Sequence, residues 1–430
     1  MLRRKSRFCE KLKTAIEKYT NLVYNIIEKM TEKEAIHMNE QNQNRIYADN
    51  AATTPVLPEV VDAMLPVFNT YWGNPSSLHH EGQLAKELLD TARDRIAATL
   101  GCTAREIYFT SCGSESDNWA IKGAAHLAKP GRKKIITSKI EHHAVLHTCE
   151  SLEREGFSIV YLDVDSTGLV DLDQLRREAD DTTALVAVMF ANNEIGTIEP
   201  VKQIAEIAHN AGALCFTDAV QAYGALPFTV DELGVDMLSL SGHKLGAPKG
   251  IGALYIRRGV RIANLIDGGG QERGKRGGTE NLPYIVGLAE AATVAHKRLA
   301  DMDRVRAMRD RLIAGLCEIP HSHLNGHPTQ RLPGNVNVSF EYVEGESLLL
   351  WLDIKGIAAS TGSACSSKSL EASHVLLATG LPVEMAHGSL RFSLSHANTE
   401  AEVDRIIETV REVVTQLRAM SPIYPGNAEC

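Results

Sequence analysis

No Cys-x-x-Cys pair occurs among the eight cysteines of this 430-residue chain, and no two of them have zinc-knuckle spacing. A metal-stapled or disulfide-stapled scaffold is therefore not expected, and a chain this long can bury a core without one. Thiols scattered in this way suit a reducing, intracellular setting, taken here as the cytoplasm. No apolar run approaches the roughly 20 residues of a membrane-spanning helix, so no membrane partner is expected. Excess positive charge is also missing. The formal net charge is -9, which disfavours direct binding of nucleic acid, because that needs basic surface. Internal repeats, low-complexity tracts and long disordered linkers are absent as well.

What is present is ordinary for an enzyme: 44% hydrophobic and 23% charged residues. The length suits one large α/β domain with a smaller companion. Residues 1–44 stand apart. They are locally basic at the start and carry Leu12, Ile16, Tyr19, Val23, Ile26 and Met30 at helical spacing, without the long apolar core of a secretory signal. They read as a helical or flexible extension.

From Ile46 onward, strand and helix patterns alternate. "EIYFT", "KIITS", "SIVYLDV", "ALVAVMFA", "ALCFTDA", "VDMLSLS" and "GALYI" are short, apolar and often β-branched, as buried strands of a mostly parallel sheet are. "LAKELLDTARDRIAATL", "AVLHTCESLEREG" and "VKQIAEIAHNAG" read as helices, the last closed by Gly212. This alternation predicts an α/β sheet with helices on both faces. After Asn281 a long helical stretch, the strands "NVNVSF" and "LRFSLS", the helix "ESLLLWLDIKG" and a terminal helix predict a smaller α+β domain. The expected division is a large domain over 54–300 and a small one over 45–53 and 301–425.

Polar residues of chemical interest gather where the strands stop, which is where open α/β sheets bind ligands. Asp218 ends "ALCFTDA", with Gln221 three residues on; Ser241, His243 and Lys244 follow "MLSLS"; Gly113 and Ser114 form a turn after "YFTSC"; Glu141 and His142 follow "KIITS". Taken singly, each has a plain explanation as a cap, a turn or solvated surface. Together they meet the needs of pyridoxal phosphate. A lysine amine can form a Schiff base, an aspartate can keep the pyridine nitrogen protonated, a helix N-terminus can hold phosphate, and an aromatic ring can stack.

The stretches "YADNAATTPV", "GNPSSLH", "FTSCGSESDN", "ANNEIGT", "TDAVQ", "SGHKLGAPKGIGALY", "GGGQERGKRGGTEN", "EGESLL", "GSACSS" and "RFSLS" occur in order. On these the chain closely resembles the cysteine desulfurases of the NifS/IscS kind, class V aminotransferase relatives within the fold-type I pyridoxal-phosphate transferases. The resemblance runs from about Ile46 to about Ser421. It implies that Lys244 carries the cofactor and that Asp218 pairs with the pyridinium nitrogen. It implies that Gln221 bonds the ring hydroxyl and that His142 stacks on the ring. Gly113, Ser114, Ser241 and His243 would bind the phosphate. Thr279 would reach the cofactor of a neighbouring subunit, which implies a homodimer. Asn193 would contact cofactor and substrate, and Arg391 would fork onto the substrate carboxylate.

The implied reaction removes sulfur from L-cysteine, leaving L-alanine and a persulfide on Cys365. That sulfur would pass to an iron–sulfur scaffold or another acceptor, nitrogenase maturation being one such use. No metal site is expected beyond a transient iron–sulfur ligand role for Cys365. The sequence around this residue, "TGSACSSKS", is an odd place for a packing thiol. Its Gly and Ser residues suit a thiol that must reach first a cofactor and then a partner. A mobile thiol argues against a simple aminotransferase, whereas a selenocysteine lyase would use the same nucleophile. Two departures are small: Ser114 stands where many relatives have Thr, and Ala372 where a Pro is common.

Overall fold

All seven apolar runs become strands of one sheet. The computed structural model describes residues 45–361, 372–421 and 424–425; the extension expected over 1–44 and the nucleophile expected at Cys365 lie outside the described residues. The chain divides into two units, residues 1–46 and 47–430. Only Arg45 and Ile46 of the first are described, and every element below belongs to the second.

The strands are β1 (Ile107–Thr110), β2 (Lys134–Ser138), β3 (Ser158–Leu162), β4 (Thr183–Ala187), β5 (Leu214–Asp218), β6 (Met237–Ser241) and β7 (Gly252–Ile256). Their spatial order is β1-β7-β6-β5-β4-β2-β3. The ladders β2–β3, β2–β4, β4–β5 and β5–β6 are parallel, while β7 runs antiparallel to both β6 and β1. Both faces are buried, which is why these strands read as nearly continuous apolar runs. In β5, Cys215 faces a layer with Val186 and Leu238, and its neighbour Phe216 faces the opposite layer with Trp119 and Met237.

The first layer is closed by α1 (Pro58–Asn69), α2 (His80–Leu100), α5 (Val201–Asn210) and α6 (Leu282–Arg298). The second is closed by α3 (Gly113–His126) and α4 (His143–Arg154). Gly212 follows α5 with φ +69°, the left-handed stop read from the sequence.

A three-stranded antiparallel sheet holds β8 (Ser322–Leu324), β9 (Asn335–Phe340) and β10 (Ser389–Ser393) in the order β10-β9-β8. The helices Met302–Cys317 and Glu400–Met420 pack on each other beside it. Its register sets Arg391 opposite Asn337, and that placement aims Arg391 at the end of the large sheet.

One tie fixes the glycine-rich stretch "GGGQERGKRGG" to the edge of the large sheet. Glu272 and Arg273 both have positive φ, 45° and 59°, a strained state for residues with a side chain. The Glu272 carboxylate accepts from Arg93 Nη1 and Nη2 at 2.7 and 2.8 Å and from Phe109 N at 3.0 Å. Both side chains are buried. Glu272→Ala would leave Arg93 buried without its counter-charge, at an expected cost of about 3–5 kcal/mol. The check is the thermal midpoint: it should fall for the single variant and recover in the Arg93→Met, Glu272→Leu double variant.

Candidate active site

The carboxyl ends of the parallel strands open into one cleft with about 1260 Å³ of non-protein space, part of it open solvent. Strand β5 delivers Asp218 and, after a tight turn, Gln221. Strand β6 delivers Ser241, then a single 3-10 turn, Gly242–Lys244, carries His243 and Lys244 to the same place. The loop after β2 supplies His142, the loop after β4 supplies Asn193, and β10 of the second sheet supplies Arg391.

At one end of the cleft Gly113 and Ser114 begin α3. The N-cap residue Cys112 makes no side-chain cap, so the first-turn N–H groups of a 14-residue helix are offered to a ligand. Gly113 is required by space: a Cβ there would stand 2.8 Å from Val220 Cγ2 and 3.4 Å from Ser241 Cβ. Ser241 Oγ is buried and has no hydrogen-bond partner among the described residues. Buried hydroxyls are seldom left so, which marks a place for an acceptor. His243 Nδ1 lies 3.2 Å from Thr53 Oγ1. Burial, with help from the Lys244 and Lys249 charges, pushes its pKa down to about 4, so it is a neutral imidazole near neutral pH.

Lys244 Nζ donates to the carbonyls of Ala51 and Ala52, and Gln221 Nε2 donates to Ala51 O at 3.0 Å. His142 does two jobs. Its Nδ1 accepts from Ala144 N at 3.1 Å, capping α4, while its ring lines the cleft. Asp218 accepts from Val220 N at 2.9 Å. Burial raises its pKa, and the charges of His142 and Lys244 oppose that rise. A neutral phosphate-side histidine, an unpartnered buried hydroxyl, a helix start, an aspartate and a lysine therefore fit the phosphate, the ring nitrogen and the aldehyde of pyridoxal phosphate.

Arg391 is 2% exposed. It donates through Nη2 to Asp49 Oδ1 at 2.9 Å and through Nη1 to Asn193 O at 3.2 Å. Its Nε has no partner among the described residues. The guanidinium is thus held at the cleft wall, and the fork expected for a carboxylate is partly engaged by Asp49.

Of the expected site residues, Gly113, Ser114, His142, Asn193, Asp218, Gln221, Ser241, His243, Lys244 and Arg391 all line this cleft. Thr279 does not: it is exposed on a loop outside the cleft of its own chain. Cys112 stands half-buried in the cleft wall, next to the turn at Gly113 and Ser114. Two further carboxylates, Asp117 and Glu194, and two further histidines, His143 and His374, also line it; behind the wall, Asp49 meets Arg391 and the Glu141 carbonyl meets His374. Burial pushes Glu141 up to about 8 and Glu194 up to about 7. Glu141 accepts from Met189 N at 3.0 Å and from Ser138 Oγ at 2.6 Å, and Glu194 accepts from Ser373 Oγ. Ser373 also caps the helix His374–Ala378, and Ala372 packs against an apolar cluster with Ile140 and Met189. Residues 372 and 373 are therefore anchored with alanine at position 372. Asp49 and Asp117 lie inside the quoted "YADN" and "ESDN" stretches, a signal of place but not of role.

The aminotransferase class-V family model matches residues 46–406. A protein named cysteine desulfurase IscS from Methanosarcina thermophila is 56% identical over 389 residues, covering 90% of this chain and 96% of that protein. Among solved structures, a NifS-like protein superposes with a TM-score of 0.82 at 40% identity, covering 86% of this chain and all of that one. A structure described as SspA in complex with cysteine gives 0.72 at 37% identity, covering 81% of this chain and 98% of that one. No helix of the described residues is long and apolar enough to cross a membrane.

Proposed function

The chain belongs to the aminotransferase class-V family, and we propose that its cleft works as that of a pyridoxal-phosphate-dependent cysteine desulfurase with Lys244, Asp218, His142 and Cys365 in the roles that follow. The observation that carries this reading is the convergence of Lys244, Asp218, the α3 start and Arg391 in one cleft. Bound pyridoxal phosphate supplies an electron sink for the substrate's α-carbon. The protein does the rest.

Lys244 anchors the cofactor and, once its amine is released, is the base within reach of the α-proton. Asp218, buried at the end of β5, holds the charge that keeps the ring nitrogen protonated. His142 stacks and is fixed by its cap on α4. Gly113, Ser114, Ser241 and His243 bind phosphate, and Gln221 bonds the ring hydroxyl. Asn193 and Arg391 orient L-cysteine. The Cys365 thiolate attacks the substrate sulfur. An S–S bond forms, the C–S bond breaks with its electron pair left on carbon, and that carbon takes a proton to become L-alanine. The persulfide then passes to an acceptor, an iron–sulfur scaffold being the one that relatives named IscS suggest. Cys102 and Cys149 are poor rivals for this role, because burial pushes both thiols up to about 12; Cys215 is raised for the same reason.

Other parts of the reading concern organisation. The large sheet lies within 54–300 and the three-stranded sheet within 301–425, which supports a two-domain division at those bounds, with 45–53 joining the smaller domain. Thr279, exposed and outside its own cleft, suits contact with a second subunit's phosphate in a homodimer. A cytoplasmic setting is supported by the scattered thiols and by a reaction that hands sulfur to reduced acceptors.

The experiment is a product count. With L-cysteine and a reductant, alanine and sulfide should form in equal amounts, and formation of pyruvate or keto acid without alanine would overturn the reading. A second check concerns Arg391. Arg391→Lys keeps the charge but loses the planar fork. The loss of about 1.5–3 kcal/mol typical of a hydrogen bond to a charged group means roughly a tenfold to hundredfold fall in kcat/KM for L-cysteine, mostly through KM.

A further inference from the structure

Three polar groups stand together in the layer beneath the cleft. Asp117 sits on the second turn of α3, Ser239 in the middle of β6 and Asp218 at the end of β5, and they are 1%, 0% and 7% exposed. Strands β5 and β6 pair in parallel with Asp218 beside Ser239. Because side chains alternate along a strand, both point to the face that α3 covers, the face of Phe216 and Met237. Ser239 Oγ lies 2.6 Å from Asp117 Oδ1, and the register of β5 and β6 sets Asp218 directly beside it.

We propose that Asp117 is a positioning residue that, as a neutral acid acting through Ser239, holds Asp218 as the anion the cofactor requires. The inference rests on the reading of Asp218 as the acidic partner of the ring nitrogen. It follows from counting protons. A serine hydroxyl has one proton to give. Were both carboxyl groups ionised, Ser239 could serve only one of them, and two like charges would share a dry site. With Asp117 protonated, its O–H donates to Ser239 Oγ, and the Ser239 O–H donates to Asp218. Every group is then satisfied, and 2.6 Å suits either oxygen as donor.

The surroundings decide which carboxyl keeps the proton. The charges that weigh most on Asp117 are those of Asp218, Glu141 and Cys112, all anionic when ionised, and its pKa is raised, first by burial and then by Asp218. Those that act on Asp218 include His142 and Lys244, and Val220 N donates to it. Charge therefore settles on Asp218 and the proton on Asp117. Two carboxyls with environments that drive them apart are a recurrent way to assign such roles.

The test has two arms. In the cofactor-free protein near neutral pH, the infrared difference between wild type and Asp117→Asn should contain a protonated-carboxyl C=O stretch. A carboxylate band in its place would overturn the proposal. In the second arm, cofactor dissociation constants are measured by fluorescence for wild type, Asp117→Asn, Asp117→Leu and Ser239→Ala. The amide keeps a donor toward Ser239, so Asp117→Asn should rescue affinity to within about threefold. Asp117→Leu and Ser239→Ala should each weaken binding by about tenfold or more, the scale of a hydrogen bond to a charged group. Equal losses in Asp117→Asn and Asp117→Leu, or no loss in Ser239→Ala, would overturn the proposal. Failure of the wild type to bind pyridoxal phosphate would instead overturn the reading of the cleft and leave the infrared arm to decide the proton's place.

Discussion

Lys244→Ala is expected to lower L-cysteine turnover by at least about 10²–10⁴-fold, the share that a positioned general base alone supplies. The fall should be larger, because the same amine anchors the cofactor. The position is a demanding one. Lys244 sits in a 3-10 turn directly after β6, and a Cβ on Gly242 would meet Ile251 Cγ2 at 2.8 Å. That turn is therefore tight, and it delivers Nζ to the carbonyls of Ala51 and Ala52. Visible absorbance from covalently attached cofactor should vanish in the variant while phosphate-driven, reversible binding through Gly113, Ser114 and Ser241 persists. Retention of the covalent band would show that another amine carries the cofactor.

Cys365→Ala is expected to leave cofactor absorbance intact and to lower sulfide release by about three or more orders of magnitude, the scale on which removal of an enzymic nucleophile is felt. The opposite pattern, with sulfide release kept, would require another thiol to stand in. Burial disfavours Cys102, Cys149 and Cys215 by holding them protonated. Cys112, half-buried in the cleft wall, is the thiol to examine in that event, so a Cys112→Ala variant belongs in the same series. It is expected to keep the capacity to form a persulfide.

The strands of the large sheet were legible because burial on both faces leaves a near-continuous apolar signature, and all seven runs paired as expected. Helix α1 was not. It starts with Pro58, a favourable N1 residue, but carries Pro66 inside, and an interior proline argues against a helix. Strand β8 has three residues and is held by pairing with β9 rather than by its own pattern.

The site divides in the same way. Residues at strand ends, such as Asp218 and Lys244, can be read from the switch between apolar run and polar turn. Asp117 cannot, because its role depends on Ser239 of β6, 122 residues away. Asp49 has the same character: its link to Arg391 joins the start of the second unit to β10. Glu194 belongs with them, buried and tied to Ser373 by a contact that only the tertiary fold brings about. Thr279 stands at the far limit of single-chain reading, since the role inferred for it lies in another subunit.

The most direct measurement is a single turnover. Wild-type protein is given one equivalent of L-cysteine without reductant, thiols are blocked, and the peptide carrying residues 361–369 is weighed. The expected result is the mass of one extra sulfur atom on Cys365 in proportion to the alanine formed. Alanine formed in full while Cys365 carries no sulfur, or with the sulfur found on another cysteine, would contradict Cys365 as the sulfur carrier.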